Sequence, residues 1–153
     1  MTYAADAARL LARLGEALGK ELKLEENACH TRIEGRLLSF FYAEDLSALF
    51  VQAELAELSA LPDPGSGLET LLRSSHLWEG TAGGIFGLNP EDRRIYYSYR
   101  LDLPLPVWPE SEVLLVELLP LLLGALEAAE DNLGIFALEE KAEVPAPEGA
   151  LRV

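Results

Sequence analysis

The alternation that decides the fold lies in residues 49–55, LFVQAEL. The odd-numbered positions of this segment are all apolar, whereas positions 52 and 54 are polar. A period of two is the pattern of a strand whose one face is buried and whose other face is more open, as in antiparallel sheets. The segment therefore predicts a β-strand in an antiparallel sheet.

The residues before this segment predict a helix and two more strands. Residues 3–18 carry apolar side chains at helical spacing, and Gly19 favours the end of that helix. The apolar positions are Ala7, Leu10, Leu11, Leu14 and Leu18. Residues 28–34 and 36–42 are β-rich and are divided by Gly35, and the tight connection at Glu44-Asp45 favours a meander over parallel crossovers.

The residues after this segment predict a helix, two strands and a long helix. Ser66 and Glu69 match a capping box, which predicts a helix over residues 67–78. We expect its inward side chains to be Leu68, Leu71, Leu72 and Ser75. Strands are predicted over residues 85–88 and 93–103. Pro109 favours the start of a third helix that continues to residue 133, with a kink at Pro120 and leucines around nearly the whole axis.

Together these elements predict an α+β fold with the order α-β-β-β-α-β-β-α. We expect one domain over residues 1–136, because a chain of 153 residues is of single-domain size. Residues 137–153 are acidic and contain two prolines, which predicts a flexible tail.

The net charge limits the possible partners. Lys and Arg total 12 against 26 Asp and Glu, a formal charge of −14. Such a field repels nucleic acid and anionic membranes. The longest apolar stretch, residues 113–126, is interrupted by Glu117 and Pro120 and is too short to span a bilayer, and the first residues do not form a signal peptide. We therefore expect a soluble cytoplasmic protein without membrane or nucleic-acid partners.

No catalytic or metal-binding constellation is evident in the sequence. Cys29 and His30 are adjacent, so a strand would point them to opposite faces, and His76 is remote. The glycines of residues 80–84 lack the lysine and the following helix that a phosphate loop needs. We predict a protein that is not an enzyme and has no cofactor or metal site.

Apolar side chains are the remaining functional signal. Tyr96, Tyr97 and Tyr99 could stack on bases, but the acidic charge favours sheet packing instead. The aromatic residues of the strands and the leucines of the last helix cannot all face one core. A surplus of apolar surface is typical of an oligomer interface or a binding site.

This chain resembles the class I type III secretion chaperones of the Tir chaperone family. The resemblance covers about residues 10–133 and is carried by the element order and by several segments. These are LLARLG (10–15), FVQAEL (50–55), LLRSSHLW (71–78), GGIFGLN (83–89), RIYYSYRL (94–101) and the closing apolar helix.

The resemblance implies a bacterial cytoplasmic homodimer with a twisted antiparallel sheet flanked by helices. Each dimer is expected to bind the N-terminal segment of a cognate secreted effector in extended form, without nucleotide or catalysis. The candidate effector-groove residues are Leu10, Leu14, Phe40, Phe50 and Val51. The candidate dimer-interface residues are Leu68, Leu72 and Trp78.

Two alternatives stay open at this point. In a helix-grip or hot-dog domain the sheet would wrap the helix of residues 110–133 and bind a small apolar ligand or thioester, with Asp102 or Glu117 as the polar group. A regulatory chaperone of the same fold would bind a transcriptional regulator instead of an effector.

Overall fold

The structure, a computed structural model, describes residues 2–107 and 110–135. Its helices and strands follow the predicted order, and the α+β fold class is confirmed. They are α1 (Ala4–Leu18), β1 (Ala28–Ile33), β2 (Arg36–Ala43), β3 (Ala48–Glu57), α2 (Pro64–Ser75), β4 (Ile85–Leu88), β5 (Arg94–Asp102) and α3 (Leu114–Leu133). Pro109 and the predicted tail over residues 137–153 lie outside the described residues.

The strands form one five-stranded sheet in the order β1-β2-β3-β5-β4. The pairs β1–β2 and β4–β5 are antiparallel hairpins. Glu34 and Gly35 join β1 to β2 with φ angles of 53° and 79°, as a two-residue hairpin turn with left-handed backbone requires. Strands β1 and β4 are the two edges of the sheet.

The described residues divide into two compact units, one within residues 1–52 and 99–121 and the other within residues 53–98 and 122–153. Strands β3 and β5 and helix α3 each contribute residues to both units. The single-domain boundary at residue 136 stays a prediction, and each unit is described separately below.

The core of the first unit is the apolar face of α1 together with one face of β1 and β2. Leu10, Leu11 and Leu14 are at most 1% exposed, as the helical spacing predicts. Cys29 and Phe40 are cross-strand partners and both are buried. The Tyr42 hydroxyl accepts the Tyr3 N–H at 2.9 Å and ties the start of α1 to β2.

The second unit holds α2, β4 and the turn between them. The predicted capping box at Ser66 is wrong, because Asp63 caps the helix by accepting the Ser66 N–H at 3.2 Å, and Pro64 occupies the first turn. Proline is well suited to that turn because its missing N–H would have no helical partner. Glu69 pairs instead with Arg73, one turn further on, at 2.6 Å.

A buried tyrosine fixes the turn before β4. The Tyr97 hydroxyl donates to the Thr81 carbonyl oxygen at 2.6 Å. The Phe86 ring meets the Tyr97 ring edge-on, with centroids 5.4 Å apart. A Cβ added at Gly84 would lie 2.3 Å from this ring, so the backbone approach here requires glycine.

Helix α3 begins after a short 3₁₀ turn at Ser111–Val113 and contains Pro120 within its length. Leu115, Leu122 and Leu126 are at most 2% exposed, whereas Leu121 is 61% exposed. The leucines around this helix are therefore not all buried, since Leu121 faces away from the packed side. Within the described residues, no helix combines the length and apolar character that a membrane crossing needs.

Candidate protein-binding surfaces

A groove of about 670 Å³ runs between α1 and the segment that follows it in the first unit. We call it the α1 groove; it is lined by Ala8, Ala12, Gly15, Glu16, Gly19, Lys20, Glu21, Leu22, Lys23 and Leu24. Its surface is mostly apolar because small residues form the helix wall. A Cβ at Gly15 would lie 2.5 Å from the Lys20 carbonyl oxygen, so glycine lets the chain fold back closely against α1.

Most charges around the α1 groove are paired with each other. Arg13 donates to Glu16 at 2.8 Å, and Lys23 donates to Glu21 at 2.6 Å. The hydrogen bond between Glu21 and Lys23 lowers the pKa of the carboxyl group and raises the pKa of the ammonium group. Lys20 differs, because its ammonium donates to the Arg32 carbonyl oxygen on β1. The groove wall is thereby connected to an edge of the sheet.

The sheet face opposite the first unit's core carries half-buried aromatic side chains. Phe41 follows the buried Phe40, and Phe50 lies between the buried Leu49 and Val51, so both point away from the core. His30 is exposed on the same face, and its ring meets the Phe41 ring edge-on at 5.7 Å. We call Phe41, Phe50 and His30 the aromatic face.

The structure separates the five candidate effector-groove residues. Leu10, Leu14, Phe40 and Val51 are at most 2% exposed and belong to the core of the first unit. Only Phe50 is half-buried and accessible. Contact between these residues and an effector stays a prediction, but in the free chain four of the five are buried beneath the surface.

Sequence reasoning missed the residues that line the accessible surfaces. The prediction named Phe40 and not its neighbour Phe41. Because successive strand residues point to opposite faces, the burial of Phe40 leaves Phe41 on the accessible face. The small residues of the α1 groove are a weaker sequence signal than the leucines of the same helix. Ala8, Ala12, Gly15 and Gly19 recur at helical spacing, and this stripe was the available signal.

A second apolar surface lies at the end of α2 in the second unit. Leu72, Leu77 and Trp78 are 73%, 69% and 57% exposed, and we call them the α2 apolar surface. The inward orientation expected for Leu72 is wrong; Leu71 is the buried residue of that pair. Leu77 and Trp78 have φ angles of 53° and 57°, which is unusual for large side chains.

The predicted dimer residues fall on or beside this surface. Leu72 and Trp78 belong to it, and Leu68 is half-buried one turn earlier in α2. Because these residues are accessible, they could contact a second copy, and the dimer interface stays a prediction. Large apolar side chains exposed in sequence proximity are typical of interaction sites.

The polar candidates have structural partners. Tyr96 donates to Asp92 at 2.7 Å, and burial with this hydrogen bond raises the pKa of Tyr96 to about 12. Arg94 contacts Glu54 and Glu57 at 2.6 and 2.9 Å. These contacts join neighbouring strands of the second unit and are not directed at a ligand.

The cysteine and the potential metal ligands give no catalytic arrangement. Burial raises the pKa of the Cys29 thiol, which disfavours the reactive thiolate. The His30 Nδ1 lies 2.9 Å from the Ser39 hydroxyl. Among residues 2–107 and 110–135, no group of three or more His, Cys, Asp or Glu side chains could hold a metal ion.

The three helices and the five-stranded sheet of the described residues define an α+β fold with exposed apolar surfaces. The chain matches the family model of the Tir chaperone protein (CesT) family over residues 9–130. This match spans most of the chain, and the protein belongs to that family. Membership in it favours a chaperone over the helix-grip and hot-dog alternative. No curated protein sequence matches the chain.

Solved structures share the fold at low sequence identity. A chain of the HopA1–SchA chaperone–effector complex is 16% identical with a TM-score of 0.65, over 84% of this chain and 95% of that chain. A chain of the ExsC–ExsE complex is 16% identical with a TM-score of 0.61, over 85% and 92%. The Yersinia pestis structure of the type III secretion chaperone SycH with a YscM2 fragment matches at 16% identity and a TM-score of 0.58, over 80% and 98%.

Proposed function

We propose that this protein is a type III secretion chaperone. It binds the N-terminal chaperone-binding segment of a cognate effector in extended form and keeps that effector soluble and competent for secretion. The observation that carries the proposal is the α1 groove beside the open edge of β1, in a chain of the Tir chaperone family. One chain of the HopA1–SchA chaperone–effector complex shares the fold of this protein.

The free energy of ordering the client explains why more than one surface is needed. Fixing one residue costs about 1–2 kcal/mol of backbone entropy, whereas burial of apolar surface contributes about 25 cal/mol per Å². Each ordered client residue therefore needs about 40–80 Å² of apolar burial to break even. We infer that a client segment uses the α1 groove and continues onto the aromatic face, where Phe41 and Phe50 remain accessible.

We further propose that the protein acts as a cytoplasmic homodimer without catalysis. The α2 apolar surface supports this, because three large apolar side chains would otherwise face water. A two-fold interface would bring the same surface from both copies together. The net charge of −14 would keep the loaded dimer soluble.

The client can be identified by purification from the native host under secretion-inducing conditions, followed by mass spectrometry of stoichiometric companions. The groove is tested in the same experiment with Ala12→Trp, which places an indole in the α1 groove. Ala17→Trp is the matched control, since Ala17 is exposed on the same helix but does not line the groove.

We expect the wild-type protein and Ala17→Trp to retain one secreted protein through its N-terminal region, and Ala12→Trp to lose it. Equal recovery with both variants would exclude the α1 groove as the binding site. Recovery of the wild-type chain without a protein companion would contradict the chaperone proposal itself.

A further inference from the structure

The hydrogen-bond pattern of β1 identifies the backbone groups at its free edge. The Tyr42 N–H donates to the Asn27 carbonyl oxygen at 2.8 Å, so this pair is a hydrogen-bonded pair of the β1–β2 hairpin. Such pairs alternate along an antiparallel ladder. The N–H and C=O groups of Ala28, His30 and Arg32 therefore point away from β2, toward the open edge.

The chain itself covers one end of this edge. Glu25 and Ala28 exchange two backbone hydrogen bonds of 2.8 and 3.0 Å. Glu26 and Asn27 form the turn between them with φ angles of 51° and 64°. The edge groups of Ala28 are therefore occupied, and the open part of the edge begins at His30.

Lys20 covers the other end, through a side chain instead of a strand. Its ammonium donates to the Arg32 carbonyl oxygen, and the Arg32 guanidinium donates to the Gly35 carbonyl oxygen at 2.9 Å. Within the described residues, neither cation contacts a carboxylate. Two cations bonded only to neutral carbonyls thus lie at one edge of a chain whose net charge is −14.

We propose that Lys20 is a removable latch on the edge of β1, and that the occupant of this edge is an extended client segment carrying a carboxylate. The client strand replaces the Lys20 ammonium at the Arg32 carbonyl with a backbone N–H. The released ammonium then pairs with the client's Asp or Glu side chain. This inference rests on the proposed chaperone function and specifies the chemistry of its client.

Lys20 has a physical role at this edge both in the free protein and in the protein with a bound client. A lysine at a sheet edge opposes unwanted strand pairing in the free protein. Strand addition supplies main-chain hydrogen bonds to an extended peptide, and side chains at alternate positions supply specificity. A second copy of β1 is a poorer occupant, because it would bring its own Lys20 and Arg32 cations to the same edge.

The test is a double-mutant cycle with peptides. Random twelve-residue peptides displayed on phage are selected on the full chain, and the best binder is resynthesised with each carboxylate replaced in turn by its amide. We expect one such replacement to weaken binding about three-fold to the wild-type chain, the scale of an exposed ion pair. Lys20→Met should remove that penalty, whereas the control Arg93→Met, which removes an exposed cation of the second unit, should retain it.

Amide hydrogen exchange locates the bound peptide. We expect the peptide to protect the amides of His30 and Arg32 from exchange. An equal penalty in Lys20→Met, unprotected edge amides, or a selection without binders would overturn the latch. Oligomers of Lys20→Met that protect the same amides would assign the edge to a second copy instead. None of these results affects retention of a native client, so the chaperone proposal is tested separately.

Discussion

Replacement of Leu72 by alanine tests the dimer interface quantitatively. Leu72 is 73% exposed in the free chain, and full burial of a leucine side chain stabilises by about 1.5–3 kcal/mol. Burial of the exposed part in a dimer would contribute about 1–2 kcal/mol per copy, and two-fold symmetry counts it twice. Alanine keeps one methyl group, so we expect a loss of about 2 kcal/mol and a dimer Kd raised about thirty-fold.

The assay is sedimentation equilibrium of the wild-type chain and of Leu72→Ala over a concentration series. Leu121→Ala is the control, since Leu121 is 61% exposed on another helix and should leave the dimer Kd unchanged. Because Leu72 is exposed in the single chain, its removal should hardly change the stability of the monomer. Wild-type protein that sediments as a monomer at micromolar concentration, or one dimer Kd shared by both variants, would exclude Leu72 from a dimer interface.

Three further predictions concern stability within the second unit. Gly84→Ala should lower the free energy of unfolding by about 1–3 kcal/mol in thermal denaturation, because its methyl group would overlap a buried ring, whereas Gly87→Ala, with open space around it, should change little. Asp63→Ala should cost about 1 kcal/mol in urea denaturation through loss of the helix cap, and Ser66→Ala should cost clearly less, since Ser66 contributes only its backbone N–H. The pKa of Tyr96 is raised above its ordinary value of 10.0 to about 12, so the stabilisation from its hydrogen bond is complete below pH 10 and is lost as the pH rises toward 12. Tyr96→Phe should therefore weaken the pH dependence of the free energy of unfolding between pH 10 and about 12, measured by urea denaturation.

Local periodicity predicted β3 and α1 because each has one clearly apolar face. The alternation in residues 49–55 identified β3, and the leucine spacing of α1 identified its buried side. These patterns depend on neighbouring residues and on the geometry of one helix or strand. They are readable without knowledge of the partner elements.

The sequence did not predict in the same way which of two adjacent apolar residues is buried. Phe40 and Phe41 are both aromatic, and only the register of β2 decides which one enters the core. Leu71 and Leu72 lie about 100° apart around α2, and the sequence does not tell a wide buried face from two separate apolar surfaces. The structure buries Leu71 and leaves Leu72 accessible.

The candidate site was the least predictable part because it arises from chain reversal after α1. The α1 groove depends on the close approach of Lys20 to Gly15, and its connection to the sheet depends on the turn at Glu26 and Asn27. That turn lacks the glycine that usually marks a tight hairpin. The stripe of small residues on α1 was therefore the one local signal for the groove, and it did not indicate that residues 20–24 pack alongside the helix.

The binding mode proposed for a client is an extended segment along the α1 groove and the edge of β1. Its most direct test is amide hydrogen exchange of the purified complex with the native client, compared with the free chain. We expect new protection at α1 and at His30 and Arg32, with a client segment that lacks a folded core of its own. Protection confined to other parts of the chain, or a client that binds as a folded domain, would contradict it.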